Sequence, residues 1–474
     1  MDVREGGSFR IPPGAGRVMA RLEAAGFAAY AVGGCIRDSL MGQEPHDWDV
    51  CTSALPAQTL EVFSGERVIP TGLAHGTVTV HLQGEEIEVT TMRRDGAYSD
   101  GRHPDRVDFV SRIEEDLSRR DFTVNAMAYS PVRGFADPFG GRGDLAQGVL
   151  RCVGDPRLRF EEDALRILRA LRFASTKGLR VEAATAAACR EMAGRLSRVS
   201  RERITSELLA MMEGRAPGRV LDAFHPVLFA VLPDLSRAEG FLQHSPWHSL
   251  DVLGHLLCCT DAVDGEGLTR EELQTTRLAA LLHDVGKPET FGRDAQGIGH
   301  FRGHADAGCR RLEEILRRDV RLSSARGEQM RVLVKMHDVP LRPEARLVRR
   351  LMSRLGERTL RMLLRLHRAD LAAHGEDAPN HARSLELIRE TEAFGELFER
   401  MLPEMTCLSV RDLAVSGRDL MSLGVPAGPE MGALLGALLE EVLDGKLDNR
   451  RQELMEESQR KGRKEHGNTQ NPGV

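Results

Sequence analysis

The chain has 474 residues, of which 41% are hydrophobic, 29% charged and only 4% aromatic. That composition predicts a soluble globular protein of roughly three domains whose core rests on Leu, Val, Ala and Met. It contains no run near the ~18 apolar residues of a membrane span. Residues 1–5 lack a signal-peptide layout, and eight scattered cysteines form no disulfide framework. A cytoplasmic protein with reduced thiols and no membrane association is therefore expected.

The net charge of −6 argues weakly against a nucleic-acid partner, but it is unevenly spread. Residues 151–210 carry 13 Lys+Arg against 8 Asp+Glu, and residues 309–368 carry 17 against 7. Residues 376–474 carry 12 against 19. A local basic surface is what phosphate binding needs, and the total charge can hide it.

Residues 1–14 are rich in Gly and Pro and are expected to fray. A helix is predicted over about 15–25. A buried strand follows at Ala29–Val32, broken by Gly33-Gly34, then a short helix over about 36–41 and a second strand over 46–51. Residues 78–82 and 87–91 read as further strands, with Gly84 near their turn. Beyond about 155, apolar residues recur at three- and four-residue spacing, as over 161–175 and 203–213, and predict helices. Pro217 and the stretch 234–246 mark a boundary. The predicted division is an α/β head at 1–150, a helical segment at 151–235, a second helical unit at 245–375, a third at 376–450 and a disordered tail at 451–474. No internal repeat is found.

Asp47 and Asp49 lie two apart on the predicted second strand, so both carboxylates point to one face. Like charges this close repel unless a cation lies between them. Their oxygens are hard ligands suited to Mg²⁺, which also accepts phosphate oxygens. Gly33-Gly34 lets backbone N–H groups approach a triphosphate at the start of a helix. A solvated acidic turn would leave the same trace, and a lone Asp-x-Asp is common. Strand, Gly-Gly, helix and Asp-x-Asp within about 20 residues favour metal-assisted phosphoryl transfer.

Val32-Gly33-Gly34-Cys35-Ile36-Arg37-Asp38, followed by Asp47-Trp48-Asp49, resembles the signature of the DNA polymerase β-like nucleotidyltransferases. More narrowly, it resembles the class II tRNA nucleotidyltransferases and bacterial poly(A) polymerases. Four later segments agree in order. They are Arg119-Arg120-Asp121-Phe122-Thr123-Val124-Asn125-Ala126-Met127-Ala128; Asp137-Pro138-Phe139-Gly140-Gly141; Glu161-Glu162-Asp163-Ala164-Leu165-Arg166-Ile167-Leu168-Arg169; and Arg198-Val199-Ser200-Arg201-Glu202-Arg203-Ile204. The resemblance covers about residues 25–215. Cys35-Ile36 departs from the usual Val or Tyr, at positions that need no functional group.

The resemblance implies an α+β head followed by all-α neck, body and HD regions in an elongated multidomain enzyme. It implies that Asp47 and Asp49 hold Mg²⁺, and that Gly33, Gly34 and Arg37 cradle the triphosphate. Glu88 is a candidate third carboxylate, although an exposed strand glutamate explains it as well. Arg120 and Asp121 would contact the nucleotide's phosphate and sugar, and Arg169 belongs to the same nucleotide-binding set. Asp163 and Arg166, three apart on a predicted helix face, would meet the Watson–Crick edge of the incoming base; a plain surface ion pair is the structural alternative. The implied acceptor is the tRNA 3′ end, extended with CTP and ATP. A poly(A) polymerase or an A-only enzyme is the near alternative. Residues 91–102 resemble the family's loop needed to add A after CC, which argues against a CC-only enzyme.

His283-Asp284, after an apolar helix and before Gly286-Lys287-Pro288, resembles the signature of the HD-type metal phosphohydrolases. His255 upstream and Asp370 downstream match that family's further ligands, and His304 and His337 would complete a two-metal set. Imidazoles with carboxylates suit a divalent transition metal whose bound water attacks a phosphate ester. The implied substrates are 2′,3′-cyclic or terminal phosphates. Alone, each histidine would read as a core or surface residue. Two rivals of another class remain: an HD phosphohydrolase with a nucleotide-binding head, and a non-catalytic RNA-binding protein. The arginines of 309–368 form a basic stripe that either follows a tRNA backbone or pairs with the acidic C-terminal segment.

Overall fold

The computed structural model describes residues 9–73, 76–96 and 106–467. Its described residues fall into two compact units. One comprises the chain up to Ser236 with Ile315–Leu322, and the other comprises Arg237–Glu314 and the chain from Ser323 onward. The predicted head and the helical segment after it thus share one unit. The sequence boundary at 234–246 contains the break.

In the first unit, α1 (Pro13–Ala24) begins with proline in its first turn and buries Val18, Met19 and Leu22. A seven-stranded sheet follows, in the order β3-β4-β5-β2-β1-β8-β9. Its strands are β1 (Ala29–Val32), β2 (Val50–Thr52), β3 (Arg67–Gly72), β4 (Thr77–Leu82), β5 (Glu85–Thr91), β8 (Ala128–Ser130) and β9 (Gly134–Ala136). A separate pair, β6 (Arg93–Asp95) and β7 (Val107–Phe109), stands between them in sequence. The second strand starts at Val50, later than the predicted 46–51. Asp47 and Asp49 lie on the segment that leads into it. Val32 N–H still donates to the Asp49 carbonyl at 3.1 Å. Trp48 is buried while Asp47 and Asp49 are exposed, so the two-residue alternation persists and both carboxylates share a face. Strands β3, β8 and β9 escaped the pattern reading. The first contains Pro70 and buries no residue, and the other two are three residues long. Of the A-adding loop motif, residues 97–102 lie outside the described residues.

The single helix predicted over 161–175 is two. Between α2 (Gly34–Leu40) and these come only short helices; α3 (Pro156–Glu162) and α4 (Leu165–Lys177) are separated at Asp163, whose φ of −146° and ψ of 105° are extended. The Asp163 carboxylate accepts from Leu165 N–H at 3.0 Å, so this residue satisfies a donor at the start of α4. Helix α5 (Arg201–Met211) packs against α4.

The second unit is helical. Helix α6 (Val252–Ala262) is capped by Asp251, and α7 (Arg270–Leu282) opens with a Thr269/Glu272 capping box. Helices α8 (His304–Arg318), α9 (Ser324–Met336), α10 (Ala345–Ala372) and α11 (His381–Met401) follow. Gly356, at φ 72°, breaks α10 into two. Leu333, Leu363, Leu366, Phe394 and Phe398 anchor the core.

The tail is not disordered over its first part. After α12 (Pro429–Leu443), Arg451–Gly467 forms α13. Its Leu454 is fully buried with Cys407, Leu413, Val415 and Leu438. One apolar position per two turns suffices to dock a helix but is too sparse to register as a period. The arginine stripe is largely spent on acids. Arg346 and Arg350 bond Asp444 at 2.7 and 2.8 Å, Arg365 reaches Asp264 at 3.1 Å, and Arg361 pairs with Glu357 and Glu399. Of the two sequence readings, these contacts favour pairing.

Candidate functional site

The head carboxylates meet across a parallel strand pair. Val50 of β2 is in register with Val89 of β5, which places Asp49 beside Glu88, one step upstream. Glu88 is exposed, like Asp49. The Asp49 carboxyl is pushed above the ordinary carboxylate range. Partial desolvation is the main cause, Glu88 and Asp47 add to it, and Arg120 opposes it. Three carboxylates crowded onto one face form a site short of positive charge, which suits a divalent cation.

Gly33 occupies φ 77° and ψ −121° at the start of α2. At that φ a side chain would be strained, and the missing Cβ, which would lie 2.6 Å from Arg120 Nη1, leaves the guanidinium room to approach. Arg120 is thereby set between the glycine turn and Asp49. Arg37 is buried. It donates to Asn125 Oδ1 at 2.5 Å and to both Asp38 oxygens at 2.9 and 3.0 Å, and lies over the Phe173 ring. Its partners are protein groups, so here it braces the turn.

Asp121 is likewise committed. It accepts from Phe122 N–H and Asn125 Nδ2 at 2.8 and 2.9 Å, and from Arg169 Nε at 2.9 Å. Burial alone would raise its pKa; Arg169, Asn125 and Arg166 overcome this and hold the carboxyl at about 2. A folded-state value below the unfolded one stabilises the protein above the unfolded pKa, and the gain is lost as pH falls through the folded value. Asp121→Asn is therefore expected to cost about 2 kcal/mol at pH 7. The gap to wild type should close between about pH 4 and pH 2; urea melts across that range measure it.

Asp163 and Arg166 do not pair with each other. Asp163 Oδ2 bonds Arg203 Nη2 of α5 at 2.7 Å, and Arg166 Nη1 bonds Glu162 Oε2 at 2.6 Å. The i,i+3 ion pair is absent because the helix is broken at Asp163. Arg166 Nη2 also donates to the Arg119 carbonyl at 3.1 Å, which ties the start of α4 to the Arg119-Arg120-Asp121 segment.

The second unit gathers its six predicted ligands. His255 Nε2 lies 3.0 Å from Asp370 Oδ1 and 3.5 Å from Asp284 Oδ2; His283 Nε2 lies 3.2 Å from Asp284 Oδ2 and 3.4 Å from Asp370 Oδ1. On the other side, His304 and His337 Nε2 lie 3.4 and 3.5 Å from Asp284 Oδ1. Among the described residues, two groups of candidate ligands have donor atoms within 4.8 Å of one another, and Asp284 belongs to both. The head carboxylates do not converge this closely.

The ring orientations are fixed from behind. Nδ1 of His255, His283, His304 and His337 each meets a main-chain carbonyl, of Ala373, Ala280, Phe301 and Val334, at 2.8–3.2 Å. A carbonyl only accepts, so each Nδ1 carries a proton and each Nε2 faces inward. His255 and His283 Nε2 are 3.2 Å apart, and His304 and His337 Nε2 are 3.1 Å apart. Nitrogens this close need a proton or a metal cation between them. Buried Asp284 Oδ1 has no hydrogen-bond donor. Burial disfavours a charged His283, yet Asp284 and Asp370 raise it to about 10. The pocket demands positive charge, and a metal would compete with that proton. The donor set fits divalent cations, and Asp284 is common to both ligand groups.

Gly286 explains how α8 reaches the site. A Cβ on it would lie 2.4 Å from the His304 carbonyl and from Gly308 N, so the His-Asp turn and α8 touch backbone to backbone. Asp284, His304, His337 and Asp370 line a cavity of about 520 Å³. Lys287 sits beside them, bonded to Asp284 Oδ2 at 2.5 Å and Gln243 Oε1 at 2.8 Å.

Four family descriptions match the chain: Poly A polymerase head domain over 29–151, probable RNA and SrmB-binding site of polymerase A over 178–237, HD domain over 247–383, and tRNA nucleotidyltransferase domain 2, putative, over 366–457. A CCA-adding enzyme of Levilactobacillus brevis is 34% identical over 418 residues, which is 88% of this chain and 90% of that one. The chain belongs to the CCA-adding enzyme family. Matches to three other relatives of that name, from Lactiplantibacillus plantarum, Pediococcus pentosaceus and Limosilactobacillus fermentum, span 66%, 51% and 56% of those proteins. The crystal structure of the Bacillus stearothermophilus CCA-adding enzyme in complex with CTP superposes with a TM-score of 0.69 at 28% identity, covering 97% of this chain and all of that one. The Thermotoga maritima CCA-adding enzyme complexed with tRNA shares the fold, with a TM-score of 0.57 at 20% identity and 94% of each chain covered.

Within this family frame, sequence reading missed Arg203 as the partner of Asp163, Glu162 as that of Arg166, and Asn125 as the bridge between Arg37 and Asp121. Each lies inside a quoted motif, but pairing across elements leaves no local signal. It also missed His248 and His374, which pack against His255 with ring centroids 4.7 and 6.0 Å away. The crowding of histidines after residue 243 was the available hint. No described helix is long and apolar enough to cross a membrane.

Proposed function

We propose that the head adds C, C and A to the 3′ end of tRNA from CTP and ATP without a nucleic-acid template. The observation that carries this reading is the Asp49–Glu88 register, with Asp47 on the same face and Arg120 set beside them by Gly33. Asp47 and Asp49 would hold Mg²⁺, with Glu88 as a third carboxylate; the ion supplies charge neutralisation at the α-phosphate and lowers the pKa of the attacking 3′ hydroxyl. Arg120 offers its guanidinium to the triphosphate beside the Gly33-Gly34 turn. Asp121 acts one step back, orienting Arg169 on α4. Asp163 and Arg166, pinned by Arg203 and Glu162, would present an acceptor and a forked donor to the base. Full CCA addition, rather than A-only addition or poly(A) synthesis, is supported by the relatives' printed activity. A cytoplasmic location fits eight free cysteines. The test supplies each NTP singly to tRNA lacking CCA, tRNA ending in CC, and unrelated RNA. CTP should extend the first, ATP the second, and neither the third. Untemplated addition to the unrelated RNA would favour a poly(A) polymerase.

Asp163→Ala is expected to relax discrimination against UTP and GTP by about 1–3 kcal/mol, the worth of hydrogen bonds to the right base. Triphosphate affinity should change less. Misincorporation held at the wild-type level would reduce Asp163 to a helix-start residue.

For the second unit, we infer a metal-dependent phosphohydrolase acting on terminal or 2′,3′-cyclic phosphates, using a divalent transition metal. The four inward Nε2 atoms and the shared Asp284 support this reading. The metals would supply a water of lowered pKa, and Lys287 holds Asp284 in place. Phosphate release from RNA ends assayed with Ni²⁺, Co²⁺, Mn²⁺ or Mg²⁺ tests it; silence with all four would leave a ligand-bearing scaffold.

A further inference from the structure

Beside the histidines, the second unit's cavity carries a cation with no partner among the described residues. Lys287 is fully engaged by Asp284, Gln243 and His248, the last at 3.3 Å. Arg302 also lines the cavity, is exposed, and has no hydrogen-bond or ion-pair partner among the described residues. Two carboxylates outside the ligand set share the cavity wall and still do not claim it. Asp338 lies 3.9 Å from His304 Nε2, and Glu390 pairs with Arg383 at 3.3 Å.

The backbone under Arg302 is pinned on both sides. Phe301 packs on Phe291 with centroids 5.5 Å apart and takes the Lys287 ammonium over its ring at 5.2 Å. His304 closes the turn by donating from Nδ1 to the Phe301 carbonyl at 2.8 Å. Between them Gly303 holds φ 78°, a left-handed conformation that a side chain would strain. The arginine's root is therefore fixed two residues from a candidate metal ligand, at most about 7 Å along the chain, while its guanidinium stays free. A free, pre-placed guanidinium is a bidentate phosphate receptor.

We propose that Arg302 is a second phosphate subsite of this cavity. The substrate is then a nucleotide with two phosphates, one on the 2′ or 3′ oxygen at the histidines and one on the 5′ side at Arg302. This inference rests on the hydrolase reading above and names its substrate class. The step is hydrolysis. A water oxygen bonds to the terminal phosphorus, the bond from phosphorus to the ribose oxygen breaks, and the water's proton ends on that oxygen. The products are a ribose hydroxyl and inorganic phosphate. The 5′ phosphate reacts with nothing; it orients the nucleotide. Arg302 is thus a positioning residue for specificity. Two sources offer the same chemistry, a free nucleoside 3′,5′-bisphosphate and the 3′-phosphorylated end of an RNA chain.

The experiment measures kcat/KM of the metal-loaded full chain on adenosine 3′-monophosphate, adenosine 3′,5′-bisphosphate and a short RNA ending in a 3′ phosphate. In wild type the bisphosphate and the RNA should exceed the monophosphate by about tenfold or more, the factor that one charge-assisted contact supplies. In Arg302→Ala that ratio should collapse toward one, chiefly through KM, and Arg302→Lys should retain part of it. A bisphosphate preference without an RNA preference would assign the free nucleotide as the source, and both together the chain end. A wild-type ratio near one, or a ratio that Arg302→Ala leaves intact, overturns the proposal while the hydrolase reading stands. No release from any of the three substrates overturns both.

Discussion

Asp49→Ala is expected to lower nucleotide addition at least about a hundredfold, the loss of roughly 2.7 kcal/mol of transition-state stabilisation. Asp49 stands on the segment entering β2, in line with Glu88 across the parallel pair, and shares its face with Asp47. Removing it takes away a ligand and the charge that holds the ion. The fold should not suffer. The residue is exposed, so its loss leaves no cavity, and its carboxylate is already destabilised by partial desolvation, Glu88 and Asp47. The variant's melting temperature should therefore match or exceed that of wild type. Addition above a few per cent of wild type, or a clear drop in melting temperature, would show that Asp49 is a structural acid.

Asp284→Ala is expected to empty both metal positions of the second unit at once. His255 and His283 face its Oδ2, with Asp370 in their group, and His304 and His337 face its Oδ1. Loss of His304 alone should spare the opposite group. The change also strands a buried Lys287 and His283, so a stability cost of about 3–5 kcal/mol is expected; Asp284→Asn keeps the shape and separates that cost from metal loss. Metal per chain, measured after dialysis, should fall to background in both Asp284 variants and by about half in His304→Ala. Retention of both ions in Asp284→Asn would contradict a bridging carboxylate. Nucleotide addition should persist, since the head has carboxylates of its own.

Much of the site was legible because its chemistry is local in sequence. Gly33-Gly34, Asp47-x-Asp49 and His283-Asp284 each lie within a few residues, and a period-two or end-of-helix reading places them. What failed was pairing at a distance. Asp163 and Arg166 look like one helix face until the extended Asp163 breaks that helix, and Arg203 and Glu162 take their partners. Asp121 and Arg37 carry the charges of ligands, yet Arg169, Asn125 and Asp38 absorb them. The α/β-to-helical change near residue 150 was readable from the pattern, but it is not a boundary between compact units, because contacts decide that. Short strands such as β8 and β9 have too few residues to show alternation, and polar α13 docks through little more than Leu454.

The central claim is that the head builds a defined three-nucleotide end. The direct measurement is to incubate the full chain with tRNA lacking its last three nucleotides and all four NTPs in competition, then sequence the 3′ ends. The account predicts products that finish at CCA and stop, absent from the Asp49→Ala reaction. Long A tracts, a single added A, or unextended ends from active protein would contradict it.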